Sequence, residues 1–294
     1  MLPAEVVRQI RRLQLRARRA VEDLLGGEYH SVFKGTGLSF EEVREYQPGD
    51  DVRAIDWNVT ARMGQPFIKR FVEERELTVL FLVDASGSLA FGTRRQPKRE
   101  VAAELAALLA FSAIHNNDRV GLVHFADRVE QFLPPRKGAR HAQRLIRDVL
   151  FFRPRHRGTG LRAALDFLNR IQRRRAVVFL LSDFRDSGYE RALRYTGRRH
   201  DLIALHLRDP AEEELPAVGL LELTDAETDE PVLVDTSSPA LRSAYAAAAR
   251  RRRADLQRLA RAAAADLVEV STDGDHLEEL IGFFRRRERR LRRP

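Results

Sequence analysis

Three short polar segments of this sequence carry the side chains that could do chemistry. The first reads Asp-Ala-Ser-Gly-Ser over residues 84–88, where the glycine eases a tight turn and the alternate side chains can point to one centre. The candidate ligands in the three segments are Asp84, Ser86, Ser88, Thr159 and Asp183. Two carboxylates and three hydroxyls form a set of hard oxygen donors, which suits Mg²⁺, Mn²⁺ or another divalent cation that keeps some of its water.

Each polar segment adjoins an element that could position it. Residues 78–83 and 177–181 are continuous apolar runs of strand length, which is typical of strands buried on both faces. The first run ends at Asp84, the second is followed by Ser182 and Asp183, and Thr159 comes just before a helical stripe. Because loops at the carboxyl ends of parallel strands converge, we expect the three segments to meet there.

Strand and helix patterns alternate through most of the chain. We predict strands at 78–83, 120–125, 129–133, 177–181, 202–207 and 267–270, with the third as a short antiparallel edge strand. We predict helices from about 97, around 145–150, and at 161–171, 239–264 and 276–287. This order indicates an α/β fold with a doubly wound, mostly parallel, Rossmann-like sheet. Residues 210–238 interrupt it and are interpreted as an insertion that contains a hairpin.

The amino-terminal part of the chain has a different pattern. Residues 4–25 are predicted to form one amphipathic helix or two short ones, and residues 31–76 short strands and turns. We therefore predict a helix-plus-β module over 1–75 and the α/β domain over 76–294.

The three polar segments resemble the metal-ion-dependent adhesion site of the von Willebrand factor A superfamily. That motif is Asp-x-Ser-x-Ser followed by a distant Thr and a distant Asp, each at its own strand end, and all five positions are matched here. The resemblance implies that Ser86, Ser88 and Thr159 approach Mg²⁺ directly or nearly so, while Asp84 and Asp183 act largely through water. The open coordination position would then take a carboxylate from another protein.

A block upstream of the apolar strands narrows the family. Residues 37–53 read GLSFEEVREYQPGDDVR, followed by Ile-Asp-Trp at 55–57 and Ala-Arg at 61–62. This block resembles the signature of the bacterial domain-of-unknown-function family fifty-eight, over about residues 30–290. The resemblance implies an adaptor that works with a MoxR-type AAA+ ATPase in assembling or activating client proteins. The block itself is interpreted as a β module held by ion pairs around buried aromatic residues, with partner docking as the alternative.

Basic residues surround the predicted site. Lys98 and Arg99 follow the first polar segment, and the rim residues that we expect to contact a partner are Arg94, Arg95, Arg155, Arg157 and Arg185. Such a rim favours a partner surface that presents acidic residues. Solvated loop residues in an arginine-rich protein are the alternative interpretation.

Composition limits the other possibilities. The chain has 294 residues and no cysteine, so disulfides, thiolate metal sites and cysteine nucleophiles are excluded. No apolar run is long enough to cross a bilayer, which leads us to expect a cytoplasmic protein with peripheral membrane contact left open. The formal charge of +9 is concentrated in residues 285–294, with seven Arg and one Glu. This tail is interpreted as a solvated helix end, with nucleic-acid binding as a minority hypothesis.

Two alternatives to the adhesion-site interpretation stay open. The segment at 84–88 could be a polar loop that caps a helix. A divalent ion at a strand end could also serve a hydrolase or phosphoryl-transfer enzyme. We nevertheless predict no enzymatic activity, because no Walker A loop, nucleophile elbow or placed histidine base is present. His124 and His206, which lie in predicted strands, are expected to be packed.

Overall fold

The computed structural model of the chain describes residues 39–72, 76–93, 96–226 and 229–291. The chain divides into two compact units, one within residues 33–77 and one that contains residues 78–294. The helix predicted at 4–25 and the rim residues Arg94 and Arg95 lie outside the described residues. The domain division proposed from the sequence stays a prediction.

The small unit is built on one antiparallel pair of strands, β1 (Ser39–Glu45) and β2 (Phe67–Val72). Between them lies a helix that the sequence pattern did not predict, α1 (Trp57–Met63). The carboxylate of Asp56 starts this helix by accepting hydrogen bonds from the first free backbone N–H groups.

Among the described residues of the small unit, Arg44 and Asp50 form an ion pair of the predicted kind. Both carboxylate oxygens of Asp50 accept hydrogen bonds from the Arg44 guanidinium, at 2.7 and 2.9 Å. The prediction of buried aromatic residues is wrong for Trp57, which is 67% exposed. Its position on the short helix α1, near the amino end, turns the ring to solvent instead of into a core.

Strands and helices alternate along the large unit. The strands of its main sheet are β3 (Thr78–Asp84), β4 (Arg119–Phe125), β5 (Val129–Arg136), β6 (Val177–Ser182), β7 (Asp201–Arg208) and β10 (Asp266–Ser271). The helices are α2 (Lys98–His115), α3 (Ala139–Phe151), α4 (Leu161–Ile171), α5 (Glu190–Arg199), α6 (Pro239–Ala262) and α7 (His276–Leu291). A hairpin of β8 (Leu220–Thr224) and β9 (Pro231–Asp235) lies within the predicted insertion.

The main sheet confirms the predicted fold class. Its strand order is β10-β7-β6-β3-β4-β5, and every neighbouring pair is parallel except β4 with β5. The chain starts in the middle at β3, runs outward through β4 and β5, and then crosses to β6 on the other side of β3. The order therefore reverses between β3 and β6, and ligands of open α/β sheets bind at such a switch point.

Continuous apolar strands arise here because both faces of the sheet are covered. Side chains of β3 alternate between the faces, and all residues from Val79 to Val83 are at most 4% exposed. On one face Leu80 and Leu82 pack in a core with residues of α4, α5 and α6. Helix α2 contacts both α3 and α7, and it also packs on β3, β4 and β7. Within the described residues, no helix has the length and apolar character that a membrane crossing requires.

Candidate metal-binding site

The sheet brings the two candidate carboxylates to the same edge. Asp84 is the last residue of β3, and Asp183 directly follows β6. These strands are parallel neighbours with Val83 paired to Leu181, so their carboxyl ends lie side by side at the switch point. The carboxylates meet in space because two apolar strands end in register.

The first polar loop turns its donors inward. The backbone N–H of Ser86 donates to Oδ1 of Asp84 at 2.9 Å, and the Ser86 and Ser88 hydroxyl oxygens lie 3.1 Å apart. Ser88 also makes a side-chain hydrogen bond to Asp183. Asp84, Ser86, Ser88 and Asp183 are each between 2% and 8% exposed. Four of the five candidate ligands thus form one buried cluster.

Ser182 holds the Asp84 carboxylate in place, a role that the sequence did not reveal. Its hydroxyl donates to Oδ2 of Asp84 at 2.5 Å and accepts from the backbone N–H of Phe184 at 2.9 Å. Phe184 has a φ of 56°, a left-handed conformation that is costly for a bulky side chain. The loop after β6 is therefore held in a strained shape that orients the site.

The second polar loop, residues 158–160 around Thr159, approaches the first through backbone contacts. The N–H of Gly87 donates to the carbonyl oxygen of Arg157 at 2.7 Å. A side chain at Gly160 would collide with the carbonyl of Asp127, so only glycine fits before α4. Thr159, which lies between these contacts, is half-buried and lines a cavity of 690 Å³ together with Asp183.

The two carboxylates sit in opposite electrostatic environments. Burial, together with the charge of Asp183, raises the pKa of Asp84 to about 7. Burial also disfavours the charge on Asp183, but the adjacent Lys98 ammonium holds the pKa of Asp183 below its ordinary value. Among the described residues, no cationic side chain pairs with Asp84. The cluster therefore contains a buried carboxylate whose charge is not balanced by any of them.

Lys98 and Glu212 also belong to the cluster, although the sequence did not predict either of them there. Lys98 was predicted to belong to the basic surroundings of the site, but its side chain is fully buried. Its Nζ donates to Oδ2 of Asp183 and to Oε1 of Glu212, both at 2.6 Å. Lys98 lies more than 80 residues along the chain from either carboxylate, so no local sequence pattern could indicate these contacts.

The predicted rim residues that the structure describes differ in their surroundings. Arg157 is exposed and pairs with Asp229, while Arg155 is exposed and its backbone N–H donates to Glu130. Arg185 is half-exposed, with its Nη2 at 3.4 Å from Glu212. Among the described rim residues, Arg185 is therefore the one whose side chain contacts the buried cluster.

The inserted hairpin reaches the first loop. A side chain at Gly87 would collide with the carbonyl of Ala226, which lies in the turn between β8 and β9. Together with the Arg157–Asp229 ion pair, this contact seats the hairpin beside the cluster. The sequence predicted the hairpin but not its position.

The two strand histidines are packed, as predicted. His124 is 1% exposed and stacks on Phe152 at 4.2 Å between ring centroids, while His206 meets Phe184 edge to face. Burial lowers the pKa of each to about 4. Both rings are therefore neutral at physiological pH.

The donors present fit a hard divalent cation. Hydroxyl and carboxylate oxygens are the ligands that Mg²⁺ and Mn²⁺ prefer, and a cation is what the unbalanced Asp84 carboxylate lacks. Asp84, Ser86, Ser88 and Asp183 would hold the ion, and Thr159 would reach it from the adjoining loop. Among the described residues, no group of three or more His, Asp or Glu side chains is placed to hold a metal, so the hydroxyl donors are needed to complete this site.

Two solved structures similar to the chain are the conserved hypothetical protein BatB of Bacteroides thetaiotaomicron and the SpRpn10 VWA domain. BatB has a TM-score of 0.49 at 16% identity, and the match covers 72% of this chain and 99% of BatB. The SpRpn10 domain has a TM-score of 0.44 at 14% identity, covering 71% and 95%.

The amino-acid sequence gives the stronger match. An uncharacterised protein of Mycobacterium tuberculosis is 35% identical over 283 residues, which cover 95% of this chain and 89% of that protein. The model of the family described as Protein of unknown function DUF58 matches residues 42–255. The chain therefore belongs to the DUF58 family.

Proposed function

We propose that this protein is a metal-ion-dependent protein-interaction module that binds Mg²⁺ through Asp84, Ser86, Ser88, Thr159 and Asp183. The observation that carries the proposal is the buried cluster in which Asp84 has a raised pKa and no cationic partner among the described residues. A bound divalent ion would balance that carboxylate and supply an electrophilic open position. Neutral hydroxyl donors leave the ion electron-poor, which favours a carboxylate from a partner.

The surroundings of the cluster support an acidic partner. Arg185 lies next to it and Arg157 on the neighbouring loop, and both side chains reach solvent. A positive rim attracts an acidic surface and disfavours a basic one. The partner's Asp or Glu would complete the coordination of the ion.

The resemblance to the family guides the choice of partner. We propose an adaptor role beside a MoxR-type AAA+ ATPase, in the assembly or activation of client proteins. A role as an enzyme is not part of the proposal. The residues close to the ion are hydroxyls, carboxylates and a lysine already engaged by two carboxylates, and we assign none of them as a general base.

The experiment measures association of the purified full chain with a purified MoxR-type ATPase from the same organism, in Mg²⁺ and in chelator. We expect association in Mg²⁺ only, and loss of it in Asp84→Asn. The matched control is Asp166→Asn, which neutralises an exposed carboxylate in an i,i+4 pair with Arg162. Binding that is indifferent to chelator and to Asp84→Asn would contradict the proposal.

A further inference from the structure

Lys98 occupies a position that is unfavourable for a lysine on two grounds. It is the first residue of α2, where the positive end of the helix dipole repels a cation. Its side chain is also fully buried, so its ammonium has lost its hydration. Such a placement is stable only where fixed carboxylates compensate for it.

Two carboxylates do so, and both are held rigidly. Asp183 is fixed by the loop after β6, whose Arg185 N–H donates to its Oδ1 at 3.3 Å. Glu212 accepts a hydrogen bond from the Lys98 ammonium at Oε1. Its Oε2 accepts a second one from the backbone N–H of Asp209 at 3.3 Å. The cation is therefore built into the edge of the sheet where the candidate ligands lie.

We propose that Lys98 is a resident cation of the metal site, which neutralises Asp183 in the metal-free chain and competes electrostatically with the divalent ion. This inference rests on the proposed metal site. The ammonium is one hydrogen bond from a candidate ligand, so a bound divalent ion would lie close to it. Two cations at such a separation in a buried site repel each other strongly. Lys98 thus keeps the divalent affinity of the isolated chain low.

The charged side chains around Asp183 assign this role to Lys98 and not to Arg185. Arg185 also approaches Asp183, but at 4.0 Å and from a half-exposed position where solvent screens it. Glu212 opposes Lys98, since its negative charge partly cancels that of the ammonium. Removing Lys98 and removing Glu212 should therefore change the divalent affinity in opposite directions.

The test is a calorimetric titration of Mn²⁺ and of Mg²⁺ into the metal-free full chain. Lys98→Met, which keeps the length of the side chain without its charge, is expected to bind at least about tenfold more tightly than wild type. Glu212→Gln is expected to bind about tenfold more weakly. Thermal unfolding curves, recorded without metal and again after metal is added, show whether each variant is folded.

Each outcome decides a separate point. Equal or weaker divalent binding by folded Lys98→Met, while wild type binds, overturns the role of Lys98 and leaves the proposed function standing. If Lys98→Met does not fold, the Glu212→Gln variant decides, and unchanged or tighter binding overturns the inference. The absence of divalent binding in all three proteins removes the proposed function and this inference with it.

Discussion

The two ends of the main sheet place partly or fully buried carboxylates in different charge environments. At the amino ends of β7 and β10, Asp201 and Asp266 both pair with Arg287, and Arg290 binds the second oxygen of Asp266 at 2.7 Å. Two carboxylates there face two guanidinium groups. At the carboxyl ends, Asp84, Asp183 and Glu212 face one buried ammonium and a half-exposed arginine.

The difference separates a structural cluster from a candidate binding site. In the balanced cluster the guanidinium groups neutralise the carboxylates, and Arg287 fixes α7 against the sheet. An unbalanced cluster with hydroxyls beside it retains an affinity for a further cation. We therefore propose that the same residue types serve different purposes at the two ends of the sheet, with the charge balance of each cluster as the difference.

The largest effect is expected at the balanced end. Arg287→Met leaves two partly buried carboxylates close together without this shared cation, and we expect a loss of about 3–5 kcal/mol in the free energy of unfolding. Urea denaturation with and without Mg²⁺ measures it, with the exposed Arg289→Met as a control. The loss should be the same in both buffers. Rescue by Mg²⁺ would erase the distinction between the two ends.

The second effect is a pH dependence at the unbalanced end. The pKa of Asp84 is about 7 in the folded chain, above its ordinary value of 3.8, so its contribution to stability is present at low pH and lost as the pH rises through 7. In chelator, wild type should therefore lose about 2 kcal/mol relative to Asp84→Asn between about pH 5 and pH 7. Denaturation curves at each pH test this. Parallel stability profiles of the two proteins would show that Asp84 is not a strained, unbalanced charge.

The smallest effect concerns the neutral donors. Ser86→Ala and Ser88→Ala each remove a hydroxyl but no charge, and we expect divalent affinity about tenfold weaker, or about 1.4 kcal/mol. Ser187→Ala is the control, because that serine is exposed on the loop after Asp183. Titration with Mn²⁺ measures all three. Equal affinity in the site variants and the control would mean that only the carboxylates attract the ion.

The sequence predicted the structure correctly where a single strand has its own local pattern. Residues 78–83 and 177–181 are apolar without alternation, so both central strands and the polar residues that end them were predicted. Helix α5 was not predicted, because Arg and Gly dilute its apolar stripe and only Ala192, Leu193 and Thr196 are buried. Its Gly197 sits where a side chain would collide with the carbonyl of Ala263, which is a tertiary requirement with no local pattern.

The candidate site shows the same limit. Asp84, Ser86, Ser88 and Asp183 were identified because each lies at or just after a strand end. Lys98 was assigned to the surface, because a lysine among arginines is ordinarily solvated. Its burial depends on Asp183 and on Glu212, a residue of the insertion. Such contacts arise from the topology of the sheet, which places β6 and β7 on one side of β3.

The most direct test of the central claim is calorimetric titration of Mg²⁺ into the metal-free wild-type chain and into Asp84→Asn. We expect one saturable divalent site in wild type and an affinity at least about a hundredfold lower in the variant, because the variant lacks the carboxylate that has no cationic partner among the described residues. Saturable binding of equal strength in both proteins, or none in wild type, would contradict it.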